Sequence, residues 1–128
     1  DVAQLTCTHA AAETGADGIR FCWLTGTQLS DMLRSHRHLQ WIWGVLSGFE
    51  TGIALEQVLE YPLPGADDNR IWENPVFVRH PLAEIEIVPW DSSMVFFVSR
   101  KKEPVRRFRE GFVLSEDFTE QMFGKGEL

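Results

Sequence analysis

The chain has 128 residues, 44 % of them hydrophobic and 24 % charged, with a net charge of −7. That is one domain's worth of chain, long enough to bury a core without a metal or a disulfide framework. The negative balance opposes general nucleic-acid binding, which needs a basic surface, and no run approaches the 18 apolar residues of a membrane span.

In chain order, residues 1–18 (DVAQLTCTHAAAETGADG) are small and polar and read as a loose N-terminal arm, with a short strand candidate at Val2–Cys7. Residues 19–128 then form a single domain. Ile19–Leu24 is a strand candidate with Phe21 and Trp23 on one side. Thr27 or Ser30 can cap a short helix running to His36, with Leu29, Met32 and Leu33 at helical spacing. His38–Leu46 (HLQWIWGVL) reads as a buried strand, and Ser47-Gly48 as a turn. Residues 49–61 fit either period; a helix is the reading taken. Residues 62–75 (PLPGADDNRIWENP) are a long loop.

Residues 82–88 alternate, with Ala83, Ile85 and Ile87 on one face and Leu82, Glu84, Glu86 and Val88 on the other. Pro89 to Ser93 makes a tight connection, and Met94–Ser99 returns as the second strand of an antiparallel hairpin. Pro104 suits a helix start, with Val105 and Phe108 inward and Arg106, Arg107 and Arg109 wet. Ser115 opens a closing helix in which Phe118 and Met122 share a face. These elements predict an α+β domain: an antiparallel sheet of about four to six strands with helices packed on one face.

Glu84 and Glu86 admit three readings: the solvated side of a sheet, a face offered to a partner, or an acid pair for metal or acid–base chemistry. The catalytic reading would add Asp91 and Lys101 or Lys102, as in a small metal-dependent hydrolase or nuclease. The acid-then-Glu-x-Lys spacing familiar from metal nucleases is absent. Asp91-Ser92-Ser93 suits a hairpin turn, because short polar side chains bond nearby backbone N–H groups. It lacks the GxSxG elbow of a hydrolase. His36 and His38 have no third ligand at a useful spacing, and His80, before Pro81, enters the hairpin in an extended form. The expectation is therefore no cofactor and no metal. The basic run 100–110 holds one aromatic, Phe108, against an anionic background, which argues against a nucleic-acid patch. Trp72 lies among Asp67, Asp68 and Glu73, either as an interface anchor with a charged rim or as a pin holding the loop to the core.

Cys7 and Cys22 show no metal or disulfide spacing, so a reducing cytoplasm is the expected compartment. The chain opens on Asp1 rather than methionine, which is compatible with a trimmed, processed or excised piece, and a lost leader stays open.

The stretch HPLAEIEIVPWDSS (80–93), followed by an apolar strand, a charged turn and a phenylalanine-containing helix, resembles the immunity proteins encoded beside polymorphic or contact-dependent bacterial toxins. The likeness is one of layout over roughly residues 70–123. It implies no catalysis: such proteins bind and block one cognate toxin, often a nuclease. An acidic surface suits a basic toxin cleft. The expected partner-binding residues are Asp67, Asp68, Trp72, Glu73, Glu84, Glu86 and Asp91. The expected partner is a toxin or another basic protein, with no nucleic acid and no membrane. The competing classes are the small hydrolase above and an adaptor subunit of a larger assembly. Oligomeric state is not legible.

Overall fold

The structure is a computed structural model that describes residues 13–14, 20–38, 40–65, 68–73 and 75–118. Two-residue strands β1 (Glu13–Thr14) and β2 (Arg20–Phe21) pair antiparallel as a small ribbon. Helix α1 (Gly26–Ser35) follows, then β3 (Leu46–Gly48), α2 (Leu55–Val58), a 3₁₀ turn at Asn69–Trp72, β4 (Ile85–Trp90), β5 (Met94–Ser99) and α3 (Lys102–Gly111). The main sheet is antiparallel in the order β3-β4-β5. The domain is therefore α+β, and among the described residues its main sheet has three strands where four to six were expected. The expected arm, residues 1–18, contributes β1, and Val2–Cys7 lies outside the described residues. So does the closing helix from Thr119 onward.

Helix α1 begins at Thr25, earlier than either expected cap. The Thr25 hydroxyl accepts the Gln28 N–H (3.1 Å) while Gln28 Oε1 accepts the Thr25 N–H (2.9 Å). Two donors that a helix start leaves orphaned are thus satisfied reciprocally. Its inner face carries the buried Met32.

Among the described residues of His38–Leu46 the expected long strand does not form, and only Leu46 reaches the sheet. The register explains this. Leu46 faces Ile87, so two residues further on Gly44 would face Pro89, which has no N–H to give. Ser47-Gly48, expected as a turn, is ladder instead. Gly48 lies opposite Ile85, and a β-carbon there would overlap the Ile85 Cγ2 methyl. In residues 49–61 the expected helix is reduced to four residues, closed at its start by Gln57 Oε1 on the Ala54 N–H (2.8 Å).

The hairpin β4–β5 is the spine of the fold. Its turn sets Asp91 (φ 48°) and Ser92 (φ 57°) in the left-handed region, where short polar residues are tolerated. The Ser92 N–H also donates to the Ile42 carbonyl (3.1 Å), which ties the irregular 40–45 segment to the hairpin tip.

Both faces of the sheet are covered. Glu86, Val88 and Trp90, with Phe96 and Val98 across the ladder, face a core closed by Ile71, Trp72 and Phe118. Ile85 and Ile87 face the other way with Phe97, whose ring stacks on Phe108 of α3 at 4.4 Å and 20°. The parity read from the alternation is correct, but its polarity is reversed. The acid-bearing face is the more deeply buried one, with Val88 and Glu86 both at 0 % exposure. Helix α3 sits on one face, and the 3₁₀ turn on the opposite one.

Helix α3 keeps Val105 and Phe108 half-buried and its arginines exposed. Arg106 bonds Glu103 and Glu110 on its own helix. Among the described residues no helix is long and apolar enough to cross a membrane.

Candidate functional site

The expected acidic residues do not gather on one surface. Glu86 Oε1 accepts the backbone N–H groups of Arg79 (2.5 Å) and His80 (3.0 Å), and its Oε2 accepts Arg79 Nε–H (3.0 Å). A carboxylate can enter a core only when its lone pairs are met in this way. Arg79 is itself buried and reaches the carbonyls of Gly65 (3.5 Å) and Asp68 (3.3 Å). It lies 3.5 Å from the Asp68 carboxylate, which Arg70 grips in turn through Nε (3.0 Å) and Nη2 (2.6 Å). Glu86, Arg79, Asp68 and Arg70 thus alternate in charge and bind loop 65–73 to strand β4. The partner-binding expectation fails at Glu86, which has no surface to offer, and Asp68 is largely spent on two arginines.

Asp68 also caps the 3₁₀ turn by accepting the Arg70 N–H (3.0 Å). The Arg70 side chain, then this backbone bond and the charges of Arg70 and Arg79, hold the Asp68 carboxyl below its ordinary value of 3.8 against the opposing effect of burial. A depressed folded pKa contributes stability that is present above the unfolded value and lost as pH falls through the folded one. Asp68→Asn is therefore expected to cost on the order of 1 kcal/mol at pH 7. Chemical denaturation at pH 7 and at successive points below pH 3.8 should show that gap closing as the wild-type carboxyl protonates.

Trp72 is half-buried in the core. Its ring meets Trp90 (5.3 Å), Phe96 (5.3 Å) and Phe118 (5.5 Å) edge-on. It is the pin of the two sequence readings, and the anchor expectation is set aside. Asp67 lies outside the described residues. Glu73 and Asp91 are exposed, and Glu84 is partly so. The enzyme reading asked Glu84, Glu86 and Asp91 to converge. Seven residues of extended chain, about 23 Å, separate Glu84 from Asp91, and Glu86 is sealed between them. Among the described residues no three His, Cys, Asp or Glu side chains gather as metal ligands would.

What the sequence reading missed is an open cleft of about 840 Å³ on the β3 side of the sheet. Its walls include Trp23, Leu29, Trp41, Trp43, Val58 and Leu59, with Gly48 and His80 also lining it. Trp23 (43 % exposed) and Leu59 (40 %) remain accessible at its walls. The Trp43 ring packs against Trp90 (4.8 Å), so this wall is an extension of the core.

His80 is fixed. Its Nδ1 accepts the Leu82 N–H (3.1 Å), so the ring proton sits on Nε2 and is donated to the Val58 carbonyl (2.9 Å). Phe49 (5.1 Å) and Tyr61 (5.6 Å) meet its ring edge-on. With both nitrogens hydrogen-bonded, this imidazole joins α2 to the hairpin.

Comparison with protein-family models, with curated proteins and with solved structures finds no match.

The cleft has an acidic margin. Glu50 lines it, and Glu56 and Glu60 are exposed on the α2 segment that forms one wall. Glu84, whose N–H bonds the Gly48 carbonyl (2.9 Å), stands close by. Glu50 and Glu84 share one cation, Lys101, at 3.0 and 4.0 Å. Contact with Glu50 raises the Lys101 pKa above its ordinary value. Two carboxylates against one lysine leave this margin negative. An indole and a leucine thus stand beside a rim in which carboxylates outnumber their one cation. The signal was present in Trp23, Trp41 and Trp43. Reading 38–46 as a buried strand hid it, because it sent both indoles of that run into the core.

Proposed function

We propose that this chain is a non-catalytic protein-binding module that receives a basic partner at the cleft, and that it acts as an immunity protein neutralising a cognate toxin. The observation that carries the reading is the accessible Trp23 and Leu59 of an apolar cleft that Glu50 also lines, with Glu56 and Glu60 alongside. Exposed apolar side chains that cluster mark interaction sites more often than scattered ones do. The −7 net charge supports attraction to a basic partner over a Debye length. Of the residues expected from sequence, Glu84 is retained in this surface; Asp91, at the far end of the hairpin, is not.

The test is calorimetric titration of the full chain against a catalytically inactivated toxin encoded beside it. Trp23→Ala is expected to weaken binding by roughly 2 kcal/mol, the loss typical of a central aromatic anchor. Glu50→Lys with Glu56→Lys is expected to slow association and to flatten its salt dependence. Melting temperatures near wild type would show that neither effect is unfolding. Unchanged affinity and salt response in both variants would remove the cleft as the site.

A further inference from the structure

The opposite edge of the sheet is strand β5, which does not line the cleft. Residues on β4 and β5 pair one to one from Ile85↔Ser99 to Trp90↔Met94. The Arg100 N–H donates to the Glu84 carbonyl (3.0 Å), so even-numbered residues of β5 bond inward. The N–H and C=O groups of Val95, Phe97 and Ser99 therefore point away from the sheet. Among the described residues no strand lies beyond β5 and no backbone hydrogen bond reaches these groups.

Free edges are usually blunted by charge, proline or a bulge. Strand β5 reads MVFFVS: six residues with no charge and no proline, and with Val95 56 % exposed. An apolar strip borders it, since Phe97 stacks on Phe108 and Phe108 meets Phe112 at 4.7 Å. Phe112 is 62 % exposed.

We propose that β5 is a strand-addition site that takes an extended, acidic segment of a partner protein. Donors and acceptors repeating every second residue, about 6.8 Å apart, are matched by another extended backbone. The sign of its charge follows from α3. That helix carries Lys102, Arg106, Arg107 and Arg109 against Glu103 and Glu110, a net excess of positive charge beside β5. A second copy is a poor occupant. Pairing β5 with itself would set two α3 helices over strands about 4.8 Å apart, whereas packed helices need roughly 8–10 Å. It would also oppose two cationic helices.

The experiment follows amide exchange by NMR in the full, isotope-labelled chain. The probes are three synthetic peptides: Glu-Thr-Val-Glu-Val-Thr-Glu, the same sequence with lysine for glutamate, and the acidic one N-methylated at alternate residues. The acidic peptide at saturation is expected to slow exchange at Val95, Phe97 and Ser99 by about tenfold or more, as ladder bonds form. The lysine peptide is expected to bind about tenfold more weakly, and the N-methylated one not to protect these amides. Val95→Pro removes an outward N–H that β4 does not use; it is expected to keep the wild-type melting temperature and lose the protection. No protection at millimolar acidic peptide, or equal binding of the N-methylated peptide, would overturn the proposal. So would protection of these amides in the free protein: if it grew with concentration the occupant would be a second copy, and if it did not the chain's own residues would cover the edge.

Discussion

Glu86→Ala is expected to destabilise the fold by about 3–5 kcal/mol, the loss seen when one partner of a buried ion pair is removed. Glu86 is 0 % exposed and the Arg79 side chain 1 %. Truncation would strand a guanidinium in the core and leave the Arg79 and His80 N–H groups without an acceptor. Folded domains have only about 5–15 kcal/mol in hand, so the melting temperature should fall by roughly 10 °C or more. Glu86→Gln keeps an oxygen on both N–H groups and is expected to lose less, about 2 kcal/mol. Among the described residues Arg79 Nη2 is buried without an acceptor, so even the native pair is imperfectly matched. For that reason Arg79→Met combined with Glu86→Gln, which removes both buried charges and keeps the acceptor, is expected to be more stable than Glu86→Ala alone. Urea denaturation of the four proteins ranks them. A Glu86→Ala variant within about 1 kcal/mol of wild type would mean the carboxylate is not held as described.

The same residue marks the limit of sequence reading in this chain. Period two over 82–88 locates the strand, its partner and the turn at Asp91, because alternation and turn chemistry are local. It does not say which face is inside. The usual inference buries the apolar set and wets the acids. Here loop residues decide otherwise: Arg79 delivers both a side chain and a backbone N–H to Glu86, and Asp68 and Arg70 extend the pairing. Residues 68–79 carry no periodic signal of that partnership. The failure at 38–46 is of the same kind. Trp41, Ile42 and Trp43 suit a strand, yet the neighbour that would have paired with them offers Pro89. Helix α1 was legible because the Thr25–Gln28 box is local, although its start was read too late. Of the cleft, only its indoles Trp23, Trp41 and Trp43 were legible, not their convergence. The cleft exists only where α1, the 40–45 segment and α2 meet around β3, at separations no local pattern spans.

Trp72 separates a core role from an interface role by the size and kind of effect. Trp72→Ala is expected to cost about 3 kcal/mol of stability, within the range for deleting a large core aromatic, because one ring joins Trp90, Phe96 and Phe118. Trp72→Phe, which keeps an aromatic in the cluster, is expected to cost about 1 kcal/mol. The near-ultraviolet circular dichroism of the alanine variant should weaken, since an indole in edge-on contact with three rings would be gone. An interface anchor would behave in reverse: the free protein would melt normally and partner affinity would drop by 2 kcal/mol or more. Its acidic neighbours made Trp72 look like an anchor. In the fold those neighbours point elsewhere: Asp68 turns inward to Arg70 and Arg79, and Glu73 stands in solvent at the end of the 3₁₀ turn. The indole is left to fasten that turn to the sheet. A Trp72→Ala chain that melts with the wild type would detach loop 68–73 from the core, and with it the account of how Asp68 reaches Arg79.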